Sequence, residues 1–217
     1  MSQVVKLTYG PMQENMYLIY DHSNECIVID PGCSNARERE NLAQTIKSLN
    51  LTPVRLINTH CHVDHIPGNP FIAANYGVGL EIHENEVEIL RHAPDFAAIF
   101  QIEMDTQPPV AAYIREGDEI KVGKMVFKVL FTPGHSPGSI SFYNEAEKYV
   151  ISGDVLFYRS IGRYDLPGAD GATLFKTLTE VMMSLPDDVK VYSGHGPETT
   201  IGFERMNNPF IKRGIAL

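Results

Sequence analysis

The sequence predicts an α/β protein in which mixed β-sheets are covered by helices. Three observations carry this. Short β-rich runs alternate with amphipathic helical segments along all 217 residues. Some runs are joined by hairpin-length links and others by helix-length ones, so antiparallel and parallel pairing must occur together. Several predicted strands end in turns rich in glycine and proline, where polar side chains can gather at a sheet edge.

Strands are expected first at 4–7 (VVKL), 16–20 (MYLIY) and 26–29 (CIVI), the last closed by the turn Asp30-Pro31-Gly32. Asn35 with Glu38 three residues on reads as a capping box, and the helix it opens sets Leu42, Ile46 and Leu49 on one face. A strand at 54–58 (VRLIN) runs into THCHVDH. Asn69 as N-cap, Pro70 at the first helical position and Gly77 beyond the end bracket a short helix. Residues 84–104 read as mostly helical with a break at Pro94. Strands follow at 125–131, 139–143 and 149–152. Leu174, Leu178, Val181, Met182 and Leu185 mark another amphipathic helix, stopped by Pro186, and 189–193 reads as the last strand. There is no internal repeat and no low-complexity linker.

Composition narrows the function classes. Hydrophobic residues make up 43% and charged residues 21%, as in a soluble globular protein with a sizeable core. The net charge of −9 argues against non-specific nucleic-acid or anionic-membrane partners. The N-terminus lacks the apolar run and basic residues of a signal peptide, and no stretch of eighteen apolar residues occurs. Cys26, Cys33 and Cys61 are odd in number and show no framework spacing, which points to a reducing, cytoplasmic setting.

The chemistry concentrates at residues 59–68, THCHVDHIPG. If the chain stays extended past the strand, His60, His62 and Asp64 face one side and Cys61 and Val63 the other, with His65 joining as the chain turns. Imidazole nitrogen and carboxylate oxygen both suit zinc, and four such donors could divide between two ions. Further donors are needed, and three candidates stand directly after predicted strands: His135 in TPGHSPGS, Asp154 in ISGDVLF and His195 in YSGHGPE. Singly each reads as a turn residue; together with the cluster they read as ligands. His22, His83 and His92 lack such a setting and read as surface or packing histidines.

With these residues in place the chain resembles the metallo-β-lactamase superfamily, and within it the compact glyoxalase II-like (hydroxyacylglutathione hydrolase-like) hydrolases. The resemblance rests on HxHxDH at 60–65, then His135, Asp154 and His195 in order, with the opening GPMQENMYLI and the turn VIDPG. It implies a four-layer αββα sandwich in one domain over 1–217, with the metals at one edge of the two sheets. It also implies that His60, His62 and His135 hold one metal, that Asp64, His65 and His195 hold the other, and that Asp154 bridges them. Asp30, in the family turn, is then a candidate partner for a ligand histidine; an ordinary DPG turn is the alternative. In the antibiotic-hydrolysing β-lactamases of the superfamily a cysteine matches position 154, so Asp154 points away from antibiotic hydrolysis as the main activity.

The implied activity is hydrolysis of small thioesters such as S-lactoylglutathione by two divalent ions, zinc first, with iron or manganese as alternatives. A metal-bridging hydroxide would be the nucleophile, since bound water can have its pKa lowered to about 7. A thiolate leaves readily, its thiol pKa lying near 8.5, and Asp64 could accept a proton beside its role as a ligand. Two departures bear on the substrate. The family's helical C-terminal domain has no counterpart in the 22 residues after His195. Its glutathione loop carries Gly-Lys and two aromatics, where this chain has Gly162-Arg163-Tyr164-Asp165. Arg159, Arg163 and Tyr164 are candidates to meet a substrate carboxylate, a loop ion pair from Arg163 to Asp165 or Asp170 being the alternative. The Gly-Arg-x-Asp pattern resembles that of compact bacterial glyoxalase II-like proteins and of persulfide dioxygenases, so a mononuclear iron dioxygenase is the second expectation. A non-catalytic metal-binding protein is the third.

Overall fold

The structure, a computed structural model, describes residues 1–100 and 102–213. The chain divides into two compact units, residues 1–114 with 120–126, and 115–119 with Phe127 onward.

The first unit holds β1 (Gln3–Tyr9), β2 (Glu14–Tyr20), β3 (Glu25–Ile29), α1 (Ala36–Ser48), β4 (Thr52–Ile57), α2 (Asn69–Tyr76), β5 (Leu80–Ile82), α3 (Val87–Phe100) and β6 (Val110–Tyr113). The six strands form one sheet in sequence order. β1, β2 and β3 pair antiparallel, while β3 to β4, β4 to β5 and β5 to β6 pair parallel. Each parallel step carries one of the three helices, as a crossover between parallel neighbours requires. All seven residues of β2 are buried. That strand is covered on both faces and shows no alternation.

The second unit contributes β9 (Ile140–Asn144), β10 (Tyr149–Gly153) and the short hairpin of β11 (Leu156–Phe157) with β12 (Ser160–Ile161). α4 (Gly171–Lys176), β13 (Lys190–Ser193), β14 (Thr199–Thr200), α5 (Ile201–Asn207) and α6 (Pro209–Arg213) complete it. β7 (Glu119–Val122) and β8 (Met125–Phe131) join the second sheet, ordered β14-β13-β10-β9-β8-β7. Leu174, Leu178, Met182, Val150 and Val191 lie in its helix-covered core.

Several elements differ from expectation for identifiable reasons. Asn35 caps α1 by accepting from the Glu38 N–H, but Glu38 does not return the bond as a capping box would. Its carboxylate accepts from the backbone N–H groups of Gly10 (3.0 Å) and Ser34 (2.8 Å). Gly68, not Asn69, is the N-cap of α2, because the Asn69 amide is drawn into a buried contact with Asn58. α3 runs through Pro94 unbroken. The proline lies on an exposed side while Ala93 and Ala97 anchor the buried one. Of the helix expected over 84–104, Gln101 lies outside the described residues and 102–104 are not helical. After α4 the chain stays helical as a π turn at Thr177–Val181 and a 3-10 turn at Met182–Ser184, which keeps Leu178 and Met182 buried. β5, β6, β7, β11, β12, β14, α5 and α6 were not expected, most being two to five residues long.

Asp21, at the end of β2, ties distant parts of the first unit together. Its carboxylate accepts from the Ser23 hydroxyl (2.6 Å), the Lys124 N–H (2.7 Å) and the Ser23 N–H (2.9 Å). Those bonds, the Ser23 hydroxyl first, lower its pKa from 3.8 to about 2. Gly123 sits at φ +54, and a Cβ there would run into this carboxylate. Because the folded pKa is depressed, this stability is present above the ordinary value and lost as pH falls through about 2. It corresponds to about 2 kcal/mol. Asp21→Asn should therefore lower stability near neutral pH by roughly that amount and flatten its decline between about pH 4 and 2. Urea unfolding midpoints across that range test this; a variant as stable as the parent at neutral pH would refute it.

Candidate metal centre

The cluster at 60–65 lies beyond the end of β4. The strand stops at Ile57, and 63–65 form a turn closed by the His65 N–H to the His62 carbonyl (3.0 Å). The extended run expected through Cys61 is absent because carboxylates capture its backbone donors. Asp30 accepts from the Thr59 N–H (2.7 Å) and Glu86 from the Cys61 N–H (2.8 Å). The turn gathers the imidazoles: ring centroids are 4.7 Å apart for His60 and His62 and 4.1 Å for His60 and His65. Asp64 Oδ2 lies 3.9 Å from His65 Nε2. His60 and His65 are fully buried, and His62 and Asp64 are partly so.

Hydrogen bonds decide which ring nitrogen each histidine offers. Asp30 Oδ2 lies 3.0 Å from His65 Nδ1, and as an acceptor it holds the proton on that nitrogen. The Thr59 hydroxyl donates its one hydrogen to Asp30 Oδ2 (2.6 Å), so its oxygen accepts from His60 Nδ1 at 3.1 Å. In both neutral rings Nε2 keeps the lone pair. A potential ligand atom from each of Asp30, His60 and His65 lies within 4.8 Å of the others.

The second unit builds a matching group. His135 Nδ1 is 2.7 Å from the Arg163 carbonyl, which can only accept, so His135 also presents Nε2. Asp154 Oδ2 stands 3.5 Å from His135 Nε2 and 3.4 Å from His195 Nε2. Donors sharing a tetrahedral ion at 2.0–2.1 Å stand roughly 3.3 Å apart. Imidazoles fixed through Nδ1 and carboxylates at this separation fit divalent ions such as zinc or iron. Gly162 is required here, because a Cβ would run into the Asp154 carbonyl oxygen.

The remaining candidates divide. Arg163 pairs with Asp165 through two bonds of 2.9 and 3.1 Å, the loop ion pair named as the alternative. The pair raises the arginine pKa and lowers that of the aspartate. Tyr164 is exposed. Arg159, at φ 56, donates its N–H to the buried Glu204 (2.9 Å). His22 and His92 are exposed, and His83 caps the 3-10 turn Glu84–Glu86 by accepting from the Asn85 N–H (3.1 Å). Burial pushes the Cys26 and Cys33 thiols up to about 12 and Cys61 well above its usual value.

The sequence profile of the Metallo-beta-lactamase superfamily matches residues 9–195. The chain belongs to that superfamily. It is 38% identical to the probable metallo-hydrolase YqgX of Bacillus subtilis, covering 95% of this chain and 96% of the relative. It is 35% identical to the hydroxyacylglutathione hydrolase GloC of Haemophilus influenzae, covering 92% and 93%. Among solved structures, the BLEG-1 B3 metallo-beta-lactamase superposes with a TM-score of 0.88 at 34% identity, covering 97% of this chain and 99% of that one. TTHA1623 in a di-iron-bound form superposes with a TM-score of 0.85 at 36% identity, covering 95% and 100%. The αββα class is thereby the fold of this metallo-β-lactamase family member, and two of its relatives are named as hydrolases.

Sequence reading missed Thr59, Asn58, Glu86 and Glu14. Glu14 is fully buried at the start of β2 and lies 3.8 Å from His65 Nδ1; it stands between Gln13 and Asn15, ahead of the apolar run, and no local pattern marks it. Glu86 acts on a residue 25 positions away, which no local pattern marks. The tautomer argument makes a test. Asp30→Asn should weaken zinc binding roughly 10–100-fold, because an amide can turn its donor toward His65 Nδ1 and Thr59. Thr59→Val should weaken it less, since it removes the acceptor for His60 Nδ1 and one of the donors to Asp30 but leaves the Asp30 contact with His65 in place. Competitive chelator titration measures both; unchanged affinity in Asp30→Asn would refute the assignment.

Proposed function

We propose that the chain is a binuclear metal-dependent hydrolase of small thioesters, S-lactoylglutathione among them, working in the cytoplasm. In this reading His60, His62 and His135 hold one ion, Asp64, His65 and His195 hold the other, and Asp154 bridges. The observation that supports it most is the Asp154 carboxylate oxygen, which is 3.5 Å from a nitrogen of His135 and 3.4 Å from one of His195, a member of each trio. Two divalent ions supply Lewis acidity for the acyl oxygen and an acidified water at neutral pH. The chain's own groups do the rest. Asp154 offsets positive charge between the trios, and partly exposed Asp64 can take a proton. The thiol leaving group needs little assistance, its pKa lying near 8.5. The kinship with GloC, named a hydroxyacylglutathione hydrolase, supports the thioester class.

For Arg163 the backbone and side chain serve different ends. Its carbonyl orients His135, while its guanidinium is exposed on Asp165 and can exchange that carboxylate for one on a substrate. A second reading is a mononuclear iron persulfide dioxygenase; the iron in TTHA1623 supports iron as the metal, although that form holds two ions. The name of BLEG-1 makes β-lactam hydrolysis a further outcome to test.

Zinc-loaded protein should cleave S-lactoylglutathione without oxygen, releasing free thiol. Arg163→Ala should raise KM more than it lowers kcat. Oxygen uptake with glutathione persulfide by the iron form, or β-lactam opening, with no thioester cleavage by any metal form, would overturn the proposal. Asp154→Asn keeps shape but loses charge, and should lose metal and reduce turnover by orders of magnitude. Retention of two ions and near-parental turnover would remove the bridging role.

A further inference from the structure

We infer that a chain of three side-chain amides, Asn58, Asn69 and Gln107, positions the Asp30 carboxylate and so sets the tautomers of His60 and His65. The inference rests on the reading of those histidines as metal ligands. It names positioning residues that lie outside the HxHxDH pattern.

The amides are held in one orientation by their partners. Asn58 Nδ2 donates to Asp30 Oδ1 (3.3 Å) and to the His65 carbonyl (3.1 Å), and neither of these can donate. Its nitrogen must therefore face inward and its oxygen outward. Asn69 Nδ2 meets that oxygen at 2.8 Å and spends its other hydrogen on Gln107 Oε1 at 3.0 Å. Asn69 is thus a donor on both sides, to Asn58 inward and to Gln107 outward, and every contact from Asp30 to Gln107 is matched donor to acceptor. Asn58 and Asn69 are fully buried, so no solvent competes along this stretch, and a reversed amide has nothing to turn toward. Gln107 is the half-buried outer end. Asp30 Oδ1 also accepts the Thr59 N–H, while Oδ2 faces His65 Nδ1 and the Thr59 hydroxyl. Asn58 consequently helps fix the plane of the carboxylate on which both imidazole protons depend.

Two substitutions at Asn69 separate positioning from packing. Asn69→Asp keeps the volume but sets a carboxylate oxygen against Asn58 Oδ1 and Gln107 Oε1. Asn69→Ala opens a cavity but repels nothing. If the residue only fills space, alanine is the more harmful. If it transmits polarity, aspartate is.

The measurements are zinc affinity, by competition with a chromogenic chelator, and the melting midpoint of each metal-free variant. Asn69→Asp should weaken zinc binding roughly tenfold, as for groups behind a ligand, and clearly more than Asn69→Ala does. That loss should exceed what its metal-free melting midpoint would suggest. Should Asn69→Asp fail to fold, Gln107 carries the same test from the outer end. Gln107→Glu keeps an acceptor toward Asn69 and should hold zinc affinity within about twofold, whereas Gln107→Lys presents a donor and should lower it several-fold. Alanine at 69 weakening zinc as much as aspartate, or the two Gln107 variants behaving alike, would overturn the inference while leaving the metal centre intact. Parental protein that binds no zinc or iron would overturn the metal centre, and this inference with it.

Discussion

A single buried carboxylate, Asp30, organises the histidine cluster of the first unit. It is 1% exposed and stands at φ 50, a left-handed conformation that aspartate tolerates better than most side chains. An ionised carboxylate in such a place needs donors, and Asp30 has four: the Thr59 N–H, the Thr59 hydroxyl, Asn58 Nδ2 and His65 Nδ1. Each of these satisfies the charge and is itself positioned by it. The Thr59 bond draws β4 away from its ladder, the His65 bond fixes one ring, and the hydroxyl relays the same polarity to His60. The left-handed step after β3 brings the carboxylate beside the end of the neighbouring strand β4.

Glu86 does comparable work two residues further along, taking the Cys61 N–H from the 3-10 turn that precedes α3. In a parallel sheet the strand ends carry backbone donors that the ladder no longer uses. Here buried carboxylates take them, so a six-residue turn crowded with imidazoles is held by bonds at its backbone, leaving its side chains to face one another. The second unit uses a different device to orient its histidine. A backbone carbonyl, that of Arg163, orients His135, and Gly162 lets the loop approach Asp154 closely enough for it.

The clustering of histidines and aspartates and the long strands were legible because their signals are local. Imidazoles spaced two apart, DPG after an apolar run and β-branched alternation are all read within a few residues. The strand at 125–131 matches to the residue. What was not legible depends on distant partners. Glu38 completes a local capping box on paper but bonds Gly10, 28 positions away. Asn69 has the sequence setting of an N-cap and instead serves Asn58 and Gln107. Two-residue strands such as β11 and β14 carry no periodicity at all. The extended reading of 58–61 failed for the same reason, since alternation describes a free strand and not one whose donors have been taken by Asp30 and Glu86.

This contrast separates holding metal from choosing substrate. The groups that orient His60 and His65 are buried, and these and the carbonyl that orients His135 are directional and matched donor to acceptor, so small changes in them act on the histidines themselves. Arg163 and Asp165, by contrast, lie exposed two residues apart. Solvent and salt screen their pairing, so the guanidinium can be recruited or replaced without disturbing the carbonyl of the same residue on His135. A loop built this way can change its substrate preference while its backbone keeps the ligand in place. Under the proposed function, one framework for the histidines is thereby compatible with relatives named for different activities, and the departure from the aromatic glutathione loop at Tyr164 and Asp165 bears on substrate rather than on metal.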